Sequence, residues 1–222
     1  LNLSTGVSKK ISNNEEGIYS FSWSPDSKWI AFVEVADNTM ARIFLYHNDS
    51  GEKFPITTDR ANSLSPQWSP DGKFIYFLSD RNFNTLVGGP WGPRQPEPYF
   101  DASEKLYHIP LQKNTRSPFM PNDELHKEEK KDKDAKEKSI PKVIIDRIGI
   151  AERIAEVPIE PGNYSALQIN SEAIYLLTKD TGADAKTHLK VVKIDNEDVK
   201  LKTLVSDISS FELSGDGEKI LI

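Results

Sequence analysis

The segment Phe21-Ser22-Trp23-Ser24-Pro25-Asp26-Ser27-Lys28-Trp29-Ile30-Ala31-Phe32 comes back 45 residues later as Pro66-Gln67-Trp68-Ser69-Pro70-Asp71-Gly72-Lys73-Phe74-Ile75-Tyr76-Phe77. A third copy, Phe211-Glu212-Leu213-Ser214-Gly215-Asp216-Gly217-Glu218-Lys219-Ile220, closes the chain, and a degenerate copy beginning at Leu167 stands 44 residues before it. A period of this length is what a four-stranded blade of a β-propeller needs. From Pro66 to Leu167 the interval is 101 residues, one period plus about 56, so one blade carries a long insertion.

The chemistry of the repeat agrees with its period. Ser, Pro and Gly occupy the positions a type I turn favours, and the Ser and Asp side chains can bond the turn backbone. Ile30–Val33 and Phe74–Leu78 are short continuous apolar runs, as expected of strands covered on both faces. Trp23, Trp68 and Leu213 share one repeat position and read as packing residues between blades. Strands are predicted near 18–23, 29–34, 41–46 and 53–57, then 62–68, 74–79 and 105–111, and finally 164–169, 173–178, 187–194 and 201–205.

The fold class is therefore all-β: a partial β-propeller of four-stranded antiparallel blades. Residues 1–12 read as the last two strands of a preceding blade, 13–58 as one blade, 59–160 as a blade with an insertion over about 82–142, 161–206 as another, and 207–222 as the start of a following one. Such an arc exposes unpaired strand edges, so the chain reads as a piece of a longer protein that pairs with further blades or with a second copy of itself. Its opening Leu1-Asn2-Leu3 has neither an initiator Met nor a targeting pattern.

The insertion has two parts. Gly88-Gly89-Pro90-Trp91-Gly92-Pro93, continuing to Phe100, is rich in Gly, Pro and aromatics; it reads either as a loop over the propeller mouth or as an excursion packed on its own blade. The run from Lys127 to Lys138 holds six Lys and five acids. Its Glu129/Lys133, Asp132/Lys136 and Asp134/Lys138 spacings support a marginal helix.

Composition excludes some chemistry. A net charge of −6 and a pI near 5.3 disfavour a nucleic-acid partner, which selects a basic surface. No apolar run approaches the ~20 residues of a membrane-spanning helix. With no Cys, thiol catalysis and Cys-ligated metals are out. His47, His108, His126 and His188 form no close ligand pair, and no G-x-S-x-G elbow or phosphate loop occurs. The residues thus predict no catalytic, cofactor-binding or metal-binding position and no cofactor. Asn2, Asn48 and Asn163 open glycosylation triplets, a weak signal.

The W-S-P-D-G-K-x-I-x-F repeats resemble the PD40 (WD40-like) class shared by TolB, tricorn proteases and prolyl-oligopeptidase-like enzymes. Two segments sharpen this: Tyr99-Phe100-Asp101 with Ser103–Leu111, and, beyond the charged run, Ile145-Asp146, Gly149-Ile150, Arg153-Ile154, Pro158-Ile159 and Pro161-Gly162-Asn163-Tyr164. Together they look like the N-terminal propeller of bacterial tricorn-like serine peptidases. The resemblance implies a non-catalytic segment that gates or channels oligopeptides toward PDZ and peptidase domains outside this chain. It also implies a periplasmic setting, with the cytoplasm as the alternative. The alternative reading is a TolB-like propeller scaffold that binds protein partners and has no enzymatic activity.

Overall fold

The computed structural model describes residues 1–81, 101–124, 140–182 and 184–222. Blade one is the antiparallel meander β1 (Phe21–Trp23), β2 (Trp29–Val35), β3 (Ala41–His47) and β4 (Lys53–Pro55). Blade two is β5 (Ser63–Trp68), β6 (Phe74–Ser79), β7 (Lys105–Pro110) and β8 (Ala155–Glu156). Blade three is β9 (Tyr164–Ile169), β10 (Ala173–Lys179), β11 (Thr187–Lys193) and β12 (Lys202–Ser206), and the hairpin β13 (Glu212–Leu213) with β14 (Ile220–Leu221) follows it. The first strands β1, β5, β9 and β13 neighbour one another in that order, so they are the inner strands about which the blades fan.

Period-2 alternation sends the two faces of each middle strand into different joints. Ile75 and Phe77 of β6 pack with Ala31, Val33, Ile43 and Leu45 of blade one. Phe74, Tyr76 and Leu78 of the same strand meet Leu167, Ile174, Leu176 and Val192 of blade three. β6 is therefore buried at every position, which is why its sequence is a continuous apolar run. Because burial stabilises by ~25 cal/mol per Å2 of apolar area, these two joints, which hold the two largest clusters of buried apolar side chains among the described residues, stabilise the stack.

The repeated turn is built the same way three times. Ser24 Oγ donates to Asp26 Oδ1 at 2.6 Å and accepts from Trp29 N at 2.9 Å. Ser69 Oγ repeats both bonds with Asp71 (2.6 Å) and Phe74 N (2.9 Å), and Ser214 repeats them with Asp216 and Lys219 N. The residue at i+3 is left-handed each time: Ser27 at φ 58°, Gly72 at 69° and Gly217 at 70°. In the degenerate copy the turn is shorter, and Asn170 Oδ1 accepts from Glu172 N and Ala173 N at 3.0 and 2.8 Å.

Three expectations change. Residues 1–12 form no strand; Asn2 folds them into a turn, with Asn2 N donating to Val7 O at 2.9 Å and Gly6 N to Asn2 O at 2.8 Å. The segment lies on the outer face of blade one, where Ile11 joins Ile30, Phe32 and Tyr46. Trp23 and Trp68, equivalent in sequence, differ in burial: Trp68 is 6% exposed and Trp23 51%. The reason is order in the stack, since Trp68 packs on blade one whereas Trp23 lines an open groove with Leu1, Leu3, Val7 and Ile11. Finally, the insertion is two excursions rather than one. β7 lies inside it and β8 completes the sheet beyond it, so one excursion joins β6 to β7 and the other β7 to β8. Adjacent strands run antiparallel, which puts the roots of the two excursions at opposite ends of blade two. Both the Gly88–Phe100 stretch with Trp91 and the run Lys127–Lys138 lie outside the described residues.

Candidate functional site

Each end of the blade stack carries its own set of polar joints. At the end opposite the Ser-Asp turns, asparagines six residues ahead of the Trp position tie successive blades together. Asn62 Oδ1 accepts from Ala41 N of blade one at 2.9 Å while its amide donates to Asp80 Oδ2 at 2.6 Å. Asn163 Oδ1 accepts from Ala102 N of blade two at 2.9 Å, and its amide donates to Asp101 Oδ1 at 2.9 Å. Asp207 stands at the same position before the last hairpin and takes Lys186 Nζ at 3.0 Å. Asp101 also accepts from Thr181 Oγ1 at 2.6 Å. The bonds from Asn163 and Thr181 hold its carboxyl below the ordinary carboxylate value.

Beside this joint lies a groove of about 630 Å3, walled by Pro158–Tyr164, Thr178–Thr181, Lys190 and Val199–Leu201. It separates the outer edge of blade two from the face of blade three. Closer to the axis, β5 and β9 are bulged at matching places, between Leu64 and Gln67 and between Ser165 and Gln168. Ser65 (φ 53°) and Ala166 (φ 51°) are left-handed there. Side chains next to these bulges stay open to solvent, with Leu64 37% exposed and Ser165 exposed. Polar bonds also cross the inner strands: Ser22 Oγ donates to Pro66 O at 2.7 Å, and Gln168 Nε2 to Phe211 O at 3.3 Å.

At the turn end, residues 140–154 cross from blade two onto blade one. Val143 N donates to Asp26 Oδ2 at 3.1 Å. Burial pushes the Asp26 carboxyl upward, but the bonds from Ser24, Val143 and Lys28 outweigh it and hold the group below its ordinary value. Arg147 pairs with Glu52 and sits 4.4 Å from the Phe54 ring centroid. Arg153 donates to the carbonyls of Pro110, Leu111, Asp146 and Ile148. The Gly-Ile and Arg-Ile signature is thus a guanidinium clamp that fixes a crossing segment.

The histidines serve packing or single contacts. His108 is fully buried in the joint of blades two and three, 5.7 Å from Tyr76 and 5.5 Å from Phe119 between ring centroids. Desolvation pushes its pKa down to about 4. His47 Nδ1 meets Ser50 Oγ at 3.1 Å with no carboxylate bonded to the ring, and His188 Nε2 meets Asp180 Oδ2 at 2.9 Å with no hydroxyl bonded to the ring. Among the described residues neither histidine completes a nucleophile–base–carboxylate chain, and no group of three His, Asp or Glu side chains is placed to hold a metal ion. His126 lies outside them. The Asn163 side chain is committed to the joint; Asn2 bonds its own turn through Ser4 N and Thr5 N.

Residues 1–222 match, end to end, the family model described as the tricorn protease second beta propeller domain. The chain belongs to this family. Tricorn protease homolog 1 of Streptomyces coelicolor is 28% identical over 98% of the chain and 21% of its own length. The tricorn protease homolog of Saccharolobus solfataricus is 32% identical over 92% of the chain and 18% of its own length. The chain thus spans about a fifth of the tricorn relatives it matches. Among solved structures, a tricorn protease crystal structure superposes with a TM-score of 0.76 at 19% identity, covering 98% of this chain and 21% of that one. A putative TolB from Agrobacterium tumefaciens superposes at 0.55 with 14% identity, covering 88% and 51%. These two likenesses concern the fold. The tricorn signature quoted from the sequence now has positions: Asp101 and Asn163 in the blade two–three joint, and Gly149, Ile150 and Arg153 in the segment that crosses to blade one.

Sequence reasoning missed the asparagine joint, although Asn62 and Asn163 are 101 residues apart, the interval between the neighbouring repeats. It also missed β8, whose two residues carry no periodicity.

Proposed function

We propose that this chain is a non-catalytic propeller segment of a tricorn-like serine peptidase, and that it gates or channels oligopeptides toward catalytic domains elsewhere in that protein. The observation that carries the reading is the family match over all 222 residues, in a chain whose inner strands β1, β5, β9 and β13 succeed one another about one axis. An extended peptide fits such an axis because it needs a narrow, backbone-lined path and no fixed side-chain pocket. The exposed faces of blade one and of the last hairpin, with Trp23 51% and Leu221 72% exposed, take further blades of the same protein. In the isolated chain they take a second copy.

The test uses the full-length protein. Leu64→Trp and Ser165→Trp narrow the axial space while leaving the turns and joints untouched. The expected result is a several-fold lower kcat/KM for peptides of ten residues or more, with little change for a tripeptide reporter. Equal losses on both substrates would reject channelling through this segment. A full-length protein that hydrolyses neither peptide but retains stable protein partners would favour the TolB-like scaffold.

A further inference from the structure

Each blade meets the axis with a sheet edge. β1, β5 and β9 pair with a neighbour on one side only, so their other side carries main-chain N–H and C=O groups outside any ladder. Among the described residues no main-chain hydrogen bond joins one inner strand to the next. Toward the turn end, side chains of the adjoining blade use some of these groups. Trp68 Nε1 donates to Ser22 O at 3.2 Å, and Gln168 Oε1 accepts from Leu213 N at 2.7 Å. Toward the other end stand the bulges. There, among the described residues, no group of a neighbouring blade bonds the main chain of Leu64, Ser65, Ser165 or Ala166.

The side chains on these edges are unlike the rest of the surface. In a chain that is 28% charged, residues 17–23, 62–68 and 163–169 contain no Asp, Glu, Lys or Arg, although Tyr19, Leu64, Ser165 and Ala166 are exposed. The outer edges differ: β4 carries Lys53, β8 Glu156 and β12 Lys202. A charge on an edge strand discourages pairing with another extended chain, and the inner edges of three blades lack that defence. β13, in the last hairpin, departs from them with Glu212.

We propose that the inner edges of β5 and β9 recognise a passing peptide by its main chain, and that this wall therefore accepts extended oligopeptides without regard to their charge. The proposal rests on the channelling reading and names what such a path takes. Main-chain amides are the one feature every oligopeptide presents, and unpaired edge groups are their natural partners. The matching bulges between Leu64 and Gln67 and between Ser165 and Gln168 break each edge into short pieces. A peptide can thus make a few hydrogen bonds at a time but not a complete added strand, so it is guided and still released.

The test uses the full-length protein and long peptides that share one cleavage site and are modified only well away from it. One pair carries several Asp or several Lys; another peptide is N-methylated at alternate residues. The expected kcat/KM changes little between the Asp and Lys peptides and falls severalfold on N-methylation, which removes main-chain donors. Ser165→Asp should favour the Lys peptide and Ser165→Lys the Asp peptide, each severalfold. An N-methylated peptide cleaved as fast as its parent would overturn the proposal. A tenfold preference of the unsubstituted protein for one charge, shifted by the Ser165 substitutions, would overturn it while leaving channelling intact. If neither substitution alters the order of the charged peptides, the peptide does not pass this wall, and the channelling reading falls with the proposal.

Discussion

Two residue positions show how narrowly the repeat is specified. Gly72 is left-handed at φ 69°, and a Cβ built on it would lie 2.9 Å from Val143 Cγ2 and 3.4 Å from Pro25 Cγ. Gly72→Ala therefore adds backbone strain and a steric clash at once, and should lower stability by roughly 1–3 kcal/mol, read from the urea midpoint. Ser27 holds the same turn position at φ 58°, where it has a Cβ. Ser27→Gly should leave stability unchanged or raise it by up to ~1 kcal/mol; a clear loss would show that the Ser side chain does more than occupy the turn. His108 sets a pH limit. With a folded pKa of about 4 against the ordinary 6.5, the unfolded chain binds a proton that the folded chain refuses between those values. Its contribution is intact above pH 6.5 and declines as pH falls toward 4, by roughly 3 kcal/mol in all. His108→Phe, which suits a site lined by Tyr76 and Phe119, should flatten this acid decline in urea titrations at pH 7.5 and 4.5. An unaltered decline would place the acid sensitivity elsewhere.

Elements are where sequence and structure part company. β2, β6 and β10 are legible because burial on both faces demands continuous apolar runs, and the turns because Ser, Pro, Asp and Gly each meet a stated backbone need. β8 escaped definition: two residues long, it is held by pairing with a neighbour and not by any pattern of its own, whereas β4 falls within the strand expected over 53–57 but is only three residues long. The joints escaped for another reason. Asn62 and Asn163 act across blades, on Ala41 and Ala102, and a repeat read along one chain does not show what faces what. Arg153 was visible as a signature residue, but its four carbonyl partners come from two separate segments. Because the guanidinium fork serves several acceptors at once, Arg153→Lys should behave like Arg153→Ala. Both should destabilise by about 1–3 kcal/mol and raise amide exchange around Asp146, whose N donates to Leu111 O at 2.8 Å. Rescue by Lys would reduce the clamp to a charge effect.

At the scale of the whole molecule, the two outermost faces govern behaviour in solution. Trp23 and Tyr19 are half exposed or more on the first blade, and Leu221 and Ile222 on the last hairpin. An isolated chain with such faces should associate as concentration rises, and Trp23→Ser should shift that association to higher concentration by severalfold in sedimentation velocity. A monomer at all concentrations would show that residues 1–11 already cover the first blade well enough. The candidate axis was only partly legible beforehand: the repeat showed that inner strands exist, while of the matched left-handed bulges at Ser65 and Ala166 only the first carries a Pro, Pro66, and the second has neither Gly nor Pro to announce it.

The placement of the two excursions of blade two bears on how such proteins can diverge. One springs from the strand pair β6–β7 and the other from β7–β8, with the full length of β7 between their roots. The register of β7 against β6 is fixed over six consecutive pairs, so a change of length at one root need not shift the strand end from which the other leaves. Opposite rims of one blade are thereby free to acquire separate specificities.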